Sequence, residues 1–434
     1  MSNIRTFAIP YLIAYFLQLL YCLADLFIIG QFCGVEATTA VSIGSQVMHF
    51  LTVMIVGLAM GTTVLVARST GAGDSRATGK VVGNTATVFM VISIAAALLL
   101  ALLKGPIVRM MATPAEAVDG AEVYLLICFA GLPFIAAYNV IASIFRGLGD
   151  SRSPMWFVIA ACVANIALDY LFIGAMDMGP AGAALGTTLS QLLSVVFSLL
   201  WIRFRGLGIR LSKDDFRPSR KVIEGIFHIG LPVSLQDGFI QVAFLVITII
   251  ANMRGLVDAA AVGIVEKLIG MLFLVPSAML STVSTMGAQC LGASMPQRAK
   301  ATLGTALAIT VSYGVAVAVL VQFFAEPLVG LFTASPDVIA SGGEYFRSYA
   351  FDTIFAGCHF CFSGYFVAYG YSIVSFIHNT ASVLIARLPL SYLLSVNFPE
   401  TLYPMGLAAP AGSLLSVLIC LAFYVAFRRK GKVA

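Results

Sequence analysis

Charged residues are scarce in this chain. Only 10% of its 434 residues are Asp, Glu, Lys or Arg, 60% are hydrophobic, and the mean hydropathy is +0.98. Because a soluble protein carries about 25% charged residues, this composition excludes a soluble fold. Transmembrane β-barrels are excluded too, since their strands alternate apolar and polar residues, whereas residues 88–103 and 192–202 are apolar on every side. The composition therefore predicts an all-α membrane protein.

Membrane spans are predicted from the apolar runs between Gly, Pro and charged residues. A run of about 20 apolar residues is enough to cross a bilayer as a helix. Twelve spans are predicted, near residues 7–30, 39–67, 81–103, 121–145, 154–174, 180–202, 225–251, 259–289, 301–324, 345–368, 373–395 and 406–427. Basic residues concentrate in alternate loops, and seven of them lie between Arg203 and Lys221. The positive-inside rule then predicts that both termini are cytoplasmic, and we expect a prokaryotic plasma membrane.

Enzyme motifs are also absent. The sequence has no His/Glu metal-binding motif, no Gly-rich phosphate loop before a lysine, and no nucleophile in a recognisable setting. Cys358, His359 and Cys361 could suggest a metal cluster, but a Cys and a His one residue apart point to different sides of a helix. Free cysteines are also usually buried as small apolar groups. We therefore expect no enzyme activity, no cofactor and no nucleic-acid partner. The absence of a nucleotide-binding domain excludes ATP-driven transport.

A long internal repeat relates the two halves of the chain. A shift of 221 residues superposes Ala40-Val41 on Ala261-Val262, Ala67 on Ala288, Gly71-Ala72 on Gly292-Ala293, Tyr124 on Tyr345, Phe145 on Phe366 and Gly149 on Gly370. Each half has six predicted spans, so both halves begin on the same side of the membrane. The sequence thus predicts two six-helix lobes related by a pseudo-twofold axis along the membrane normal. We predict an N-lobe at 1–202, a basic cytoplasmic linker at 203–224 and a C-lobe at 225–434.

Six short motifs occur in a characteristic order along this duplicated bundle. They are Leu19-Leu20-Tyr21-Cys22-Leu23-Ala24-Asp25 on span 1, Gly71-Ala72-Gly73-Asp74 after span 2, Arg146-Gly147-Leu148-Gly149-Asp150 after span 4, Asn165-Ile166-Ala167-Leu168-Asp169 on span 5, Gly179-Pro180-Ala181-Gly182-Ala183-Ala184-Leu185-Gly186-Thr187 on span 6, and Arg387-Leu388-Pro389 on span 11. With them, the chain resembles the MATE (multidrug and toxic compound extrusion) transporters over essentially its whole length. The resemblance implies a V-shaped pair of lobes around a central cavity. It also implies antiport of amphipathic, often cationic, compounds against Na⁺ or H⁺.

Ionisable residues inside membrane spans are candidates for function, because burying them is costly. The predicted N-lobe spans contain Asp25 and Asp169 but no Lys or Arg. At a helical rise of about 1.5 Å per residue, Asp25, Asp169 and Thr187 lie about 21 to 25 Å from the cytoplasmic side. Asn165 is one turn from Asp169 on the same helix face. These four side chains can therefore converge as oxygen ligands for Na⁺ or as a site that takes up a proton.

The family resemblance implies the same assignment. In MATE transporters the N-lobe cation site combines an Asp on helix 1, an Asn and an Asp four residues apart on helix 5, and a Thr on helix 6. These match Asp25, Asn165, Asp169 and Thr187. A purely structural role, in which the cluster ties helices together, is the alternative.

The predicted C-lobe has a different set of charges. The 221-residue shift places Ala386 opposite Asn165 and Leu390 opposite Asp169, so this lobe has no second copy of the site. Its intramembrane ionisable residues are Asp237, Glu266, Lys267, Asp352 and Arg387. Some MATE proteins have a second ion site on helices 7 and 10, but Asp237 and Asp352 are about one turn from the expected positions. We expect instead that these two acids neutralise Lys267 and Arg387 in a structural network.

The predicted substrates are small organic molecules in contact with membrane lipid. The chain has 16 Met, 31 Phe and 15 Tyr, and such soft or aromatic side chains favour promiscuous binding of flat cations. A flippase for a lipid-linked saccharide is the alternative function, but it needs a strongly basic cavity, and Lys267 and Arg387 are its only support. We expect a monomer.

Overall fold

The computed structural model describes residues 2–209 and 211–433, apart from the side chains of residues 2, 3 and 21–23, which include Tyr21, Cys22 and Leu23 of the span 1 motif. Every regular element in this part of the chain is helical. The α-helices are α1 Ser2–Phe32, α2 Val35–Gly71, α3 Ser75–Met110, α4 Val118–Ala130, α5 Leu132–Gly147, α6 Arg152–Asp169, α7 Gly179–Arg205, α8 Arg220–Met253, α9 Leu256–Leu272, α10 Leu274–Gly292, α11 Pro296–Gly330, α12 Pro336–Tyr349, α13 Asp352–Tyr369, α14 Ser372–Ala381, α15 Leu388–Asn397, α16 Tyr403–Gly406 and α17 Ala408–Arg429. Two π-helical segments, Tyr170–Ala175 and Ser382–Arg387, and two short 3₁₀ turns, Ala115–Ala117 and Lys213–Phe216, complete the set.

Ten of the described helical segments are long and apolar enough to cross a membrane. The bent pair α4 and α5, with an angle of 48° between its halves, brings the number to eleven. The predicted span at 345–368 coincides with the end of α12 and with α13, which are helical but contain Asp352 and His359 among their apolar residues. The structure is therefore the predicted all-α membrane bundle.

The chain forms two compact units. The N-terminal unit is Ile9–Ser234, and the C-terminal unit comprises the described residues of Met1–Ala8 and Leu235–Ala434. The N-terminal unit contains α2 to α7, most of α1 and the first part of α8. The C-terminal unit contains α9 to α17 with the remainder of α8 and the start of α1.

Two turns with left-handed backbone recur at the 221-residue offset. Gly73 and Ser294, 221 residues apart, both have positive φ angles, of 70° and 58°. Gly149 and Gly370 form a second such pair, at 92° and 84°. Left-handed backbone is costly for most residues, so coincident positions in two halves indicate a shared turn design.

The cores of the two units repeat as well. Tyr124 and Tyr345 are each 2% exposed, and Ala40-Val41 and Ala261-Val262 are almost completely buried. Each tyrosine lies in the main hydrophobic cluster of its own unit. The repeat therefore preserves how the helices pack within each unit.

The basic segment after α7 is held against the N-terminal unit. The Asn84 side chain on α3 donates to the Asp215 carbonyl at 2.9 Å and accepts from the Ser219 backbone N–H at 2.6 Å. Thr87, one turn further along α3, donates to the Phe216 carbonyl at 2.9 Å. Asp215 caps its own 3₁₀ turn by accepting from the Ser212 backbone N–H at 2.8 Å. This part of the predicted linker is thus a fixed element with its backbone polar groups satisfied.

Candidate cation site

Asp25, Asn165, Asp169 and Thr187 meet inside the N-terminal unit. They come from α1, from the last turns of α6, and from α7. The Thr187 hydroxyl donates to Oδ2 of Asp25 at 3.1 Å. Asp169 and Asn165 also interact electrostatically with Asp25. The structure therefore places in one cluster the four residues that the sequence singled out.

These polar atoms are buried and largely without partners. Asp25 is 4% exposed, and Asn165 and Asp169 are both 0% exposed. Within the described residues, both carboxylate oxygens of Asp169, both amide atoms of Asn165 and Oδ1 of Asp25 have no hydrogen-bond partner. Buried polar groups are normally satisfied, so unpaired atoms of this kind are typical of a site that holds a ligand absent from the structure.

Among the described residues, no base forms an ion pair with either acid. Neither Asp25 nor Asp169 belongs to any of the five ion pairs found in the described part of the chain. Two negative charges close together in a medium of low dielectric constant repel strongly. The pair is therefore stable only when a proton or a cation reduces its charge.

A glycine on α7 lets the helices approach closely enough to form this cluster. A Cβ atom added at Gly186 would collide with Oδ1 of Asp169. Gly186 directly precedes Thr187, so its missing side chain leaves room for the acid beside the Thr187 hydroxyl. The sequence identifies Gly186 only as part of a motif. Its role depends on Asp169, a neighbour 17 positions away in the chain.

The helix that carries Asn165 and Asp169 changes its winding immediately after the acid. Residues Tyr170–Ala175 form a π-helical segment, directly after the end of α6 at Asp169. π-Helical turns are rare and are frequent at functional sites, because they leave local backbone groups less tightly bonded. Nothing in the residue pattern signals this segment, since its apolar side chains suit an α-helix equally well.

Tyr124 on α4 extends the cluster. Its hydroxyl forms a hydrogen bond with the Ser45 hydroxyl at 3.1 Å, and it interacts electrostatically with Asp25. Gly44 makes room for the tyrosine ring, because a Cβ at that position would collide with it. The polar chain from Ser45 through Tyr124 to Asp25 connects α2 and α4 to the site on α1.

In the C-terminal unit, Arg387 lies among aromatic groups and near one acid. Its guanidinium donates to the Tyr349 hydroxyl and lies 5.1 Å from the Phe244 ring centroid. It also interacts electrostatically with Glu266. Glu266 accepts a hydrogen bond from the Thr248 hydroxyl at 3.4 Å. Arg387 is the last residue of the π-helical segment Ser382–Arg387.

The other predicted C-lobe residues do not form the expected network in which Asp237 and Asp352 neutralise Lys267 and Arg387. Asp352 is fully buried near Ser413, and Asp237 accepts from the Gln236 amide at 3.4 Å. Lys267 is exposed, and it points about 100° away from Glu266 around α9. None of the ion pairs in the described residues joins Asp237 or Asp352 to Lys267 or Arg387. Glu266 is instead the acid that interacts electrostatically with Arg387, and the described residues include no direct ion pair between the two side chains.

Both ring nitrogens of His378 in the C-terminal unit have hydroxyl partners. His378 is fully buried, and its two ring nitrogens lie 2.8 Å from the Ser363 hydroxyl and 2.6 Å from the Ser416 hydroxyl. No group of three or more His, Cys, Asp or Glu side chains suited to a metal ion occurs among the residues described. The Cys358, His359 and Cys361 group therefore gives no evidence of a metal site.

Comparisons with known proteins agree with the duplicated fold. The sequence pattern of the MatE family matches residues 10–171 and again residues 232–393. The chain is 27% identical to the probable multidrug resistance protein YpnP of Bacillus subtilis, over 91% of this chain and 88% of that protein. It is 28% identical to a protein of Shewanella oneidensis named FAD transporter, over 97% and 93% of the two chains.

Among solved structures, one similar chain is a multidrug resistance MATE family transporter in an outward-facing conformation. The two superpose with a TM-score of 0.92 at 22% identity, over 99% of this chain and 96% of the other. This similarity shows the two-lobe fold. With two matches of the family pattern that together cover most of its length, the chain belongs to the MATE family of multidrug efflux transporters.

Proposed function

We propose that this protein is a secondary active exporter that exchanges organic compounds for H⁺ or Na⁺. In this proposal Asp25, Asn165, Asp169 and Thr187 form the site of the coupling ion. The observation that carries it is the pair of buried acids, Asp25 and Asp169, which interact with each other and, within the described part of the chain, with no base.

Two forms of the site fit this arrangement. A proton taken up by either carboxyl would remove the repulsion and supply an O–H donor for the facing carboxylate. A Na⁺ ion would be held by carboxylate, amide and hydroxyl oxygens, the hard donors that such cations prefer. In either form the bound ion stabilises close packing of α1, α6 and α7. Release of the ion restores the repulsion and favours a looser arrangement, which is the two-state element that antiport needs.

The proposed cargo is a set of amphipathic, often cationic, organic compounds. One relative is named a probable multidrug resistance protein and another a FAD transporter, so cargo differs among proteins of this fold. An acid pair without a fixed cation attracts organic cations and repels the negatively charged pyrophosphate of a lipid-linked saccharide. This charge favours export of amphipathic compounds over the flippase function.

The functional division follows from the repeat. We infer an N-lobe at 1–202 with the ion site, a cytoplasmic linker at 203–224 and a C-lobe at 225–434. Both termini would be cytoplasmic in a prokaryotic plasma membrane, because the basic residues concentrate on that side. The ion site lies entirely within the N-terminal unit, which fits a monomeric transporter.

Transport in liposomes tests the proposal. Purified protein would be reconstituted, loaded with a fluorescent organic cation, and exposed to either a Na⁺ or a pH gradient. We expect gradient-driven movement of the dye in the wild type and its loss in Asp25→Asn. Asp119→Asn changes an exposed acid at the start of α4 and serves as the matched control. Movement that persists in Asp25→Asn would overturn the assigned ion site.

A further inference from the structure

A cavity with several polar lining residues lies within the N-terminal unit, away from the acid pair. It has a volume of about 30 Å³ and is not enclosed. Its polar lining residues come from α1, from α5 and from the residue before α6, and they are Tyr11, Tyr15, Gln18, Tyr138, Asn139, Arg146 and Ser151. A water molecule needs about 10 to 15 Å³, so the cavity accommodates two waters or one small polar group.

Arg146 gives this cavity a positive charge without an acidic partner. Its guanidinium lies 5.1 Å from the Tyr11 ring centroid and donates to the Ser143 hydroxyl at 2.9 Å. Arg146 forms none of the ion pairs in the described part of the chain. The remaining guanidinium N–H groups are therefore available to a ligand.

The acid nearest in sequence is already engaged elsewhere. Asp150 accepts from the backbone N–H groups of Arg152 and Ser153, at 2.9 and 3.0 Å, and from the Ser153 hydroxyl. Its negative charge thus caps the first turn of α6 instead of neutralising Arg146. Tyr138 is the further side chain that interacts electrostatically with Arg146, and it is uncharged as a phenol.

From this geometry we propose that the cavity is an oxyanion subsite, in which Arg146 binds a carboxylate or phosphate of the transported compound. The proposal rests on the proposed export function and deepens it by naming a feature of the substrate. A guanidinium presents a planar fork of N–H donors that matches both oxyanions. The lining adds the polar groups of Tyr11, Tyr15, Gln18 and Asn139. Two of these groups are held in place, because the Tyr11 hydroxyl donates to the Tyr15 hydroxyl at 3.2 Å and the Asn139 amide donates to the Ile135 carbonyl at 2.8 Å.

The position of the cavity on α1 relates it to the ion site. Gln18 is seven residues before Asp25, which is about two helical turns, so both lie on one face of α1 about 10 Å apart. One face of α1 thus borders the Arg146 cavity at one level and the acid pair at another. A compound with a cationic body and an oxyanion fits this polarity better than a simple cation.

A binding assay with a matched pair of dyes tests the proposal. A rhodamine with a free carboxylate and its methyl ester would be titrated with detergent-purified protein, with fluorescence polarisation as the readout. We expect the wild type to bind the free acid about tenfold more tightly than the ester, the effect of one charged hydrogen bond. Arg146→Gln should remove the preference, and Arg146→Lys should retain part of it through its point charge. Arg152→Gln removes an exposed charge six residues away and should leave the ratio unchanged.

Three outcomes would overturn the oxyanion subsite. They are equal affinity of the wild type for the two dyes, a preference that survives in Arg146→Gln, or a preference that Arg152→Gln removes equally. A lipid phosphate is the competing source of the oxyanion, so the titration is repeated with added phosphatidylglycerol. If that lipid abolishes the preference, and less of it co-purifies with Arg146→Gln than with Arg152→Gln, the cavity belongs to a lipid headgroup. Because the assay uses no ion gradient, its failure leaves the antiport proposal standing.

Discussion

The two units place the same buried tyrosine at the same repeat position but surround it with different charges. Tyr124 bonds to Ser45 and faces Asp25, whereas Tyr345 interacts with Glu266, Arg387 and Asp352. Ser45 and Glu266 are themselves 221 residues apart, so a hydroxyl in one unit corresponds to a carboxylate in the other. The duplication preserved the packing and changed the electrostatics.

This difference separates two uses of buried charge. In the N-terminal unit two buried acids interact with each other, and in our proposal they hold a mobile cation or proton. In the C-terminal unit Glu266 interacts electrostatically with Arg387, a fixed cation that supplies positive charge without an exchangeable ion. The comparison predicts that substitutions in the N-terminal unit impair ion coupling, and that those in the C-terminal unit impair stability.

The largest expected effect is loss of coupled transport in Asp169→Asn. The amide removes one charge of the acid pair, so no ion is needed to relieve the repulsion. We expect gradient-driven uptake of a fluorescent cation by inverted vesicles to fall to the background level. Glu266→Gln, the comparable change in the C-terminal unit, should retain at least half of the wild-type rate. Equal losses in the two variants would remove the distinction between the units.

A smaller but still large effect is expected for Gly186→Ala. The added methyl group would collide with the Asp169 carboxylate and displace it from Thr187. The repeat counterpart of Gly186 is Leu407, which shows that the C-terminal unit does not need this space. We expect the initial transport rate to fall at least about tenfold, since displacements of about 1 Å at a reacting group have such effects. Gly304→Ala, where a Cβ meets no atom within 4 Å, is the control. A normal rate in Gly186→Ala would show that the close approach has no functional role.

Arg387→Gln should lower stability by about 3 kcal/mol, because it leaves Glu266 without its cation. Thermal unfolding of the detergent-solubilised protein measures this loss, with Lys267→Gln as the exposed control next to Glu266. Adding Glu266→Gln to Arg387→Gln should recover about 1 kcal/mol or more of the loss. If the two substitutions are strictly additive, Glu266 and Arg387 do not neutralise each other.

The smallest expected effect concerns residues 215–219 of the segment after α7, which hydrogen bonds from α3 hold in place. Asn84→Ala removes two buried hydrogen bonds to residues 215 and 219, at a local cost of about 1 to 2 kcal/mol. Trypsin should then cleave at Lys213 and Arg217 about tenfold faster, because the cleavage rate is proportional to the fraction of molecules in which this segment has detached from α3. Thr305, the repeat counterpart of Asn84, is half-buried and its hydroxyl donates to the Ala301 carbonyl of its own helix, so Thr305→Ala should leave the cleavage rate unchanged. Equal cleavage in the two variants would contradict a fixed segment.

The sequence was sufficient for the parts of the structure that follow from periodicity. Apolar runs indicate helices and the 221-residue offset indicates two lobes, because each of these patterns is repeated many times. Asp25, Asn165, Asp169 and Thr187 could be grouped by depth because a helix has a constant rise per residue. Their convergence needed no knowledge of side-chain contacts.

Other features depend on neighbours distant in sequence, and the residue pattern does not reveal them. The role of Gly186 is defined by an oxygen atom on another helix, and the partner of Arg387 by the packing of α9 and α12. Our pairing of Asp352 with a lysine or arginine failed for the same reason. Charge counting says which signs are present in a span but not which side chains face each other.

The most direct test of the account is to count the ions released when an organic cation binds. Purified protein in weakly buffered detergent solution would be saturated with tetraphenylphosphonium, while a pH electrode and a Na⁺-selective electrode follow the solution. We predict stoichiometric release of either H⁺ or Na⁺ by the wild type and by Glu266→Gln, and none by Asp25→Asn. Unchanged release by Asp25→Asn would contradict the claim that the acid pair of the N-terminal unit holds the coupling ion.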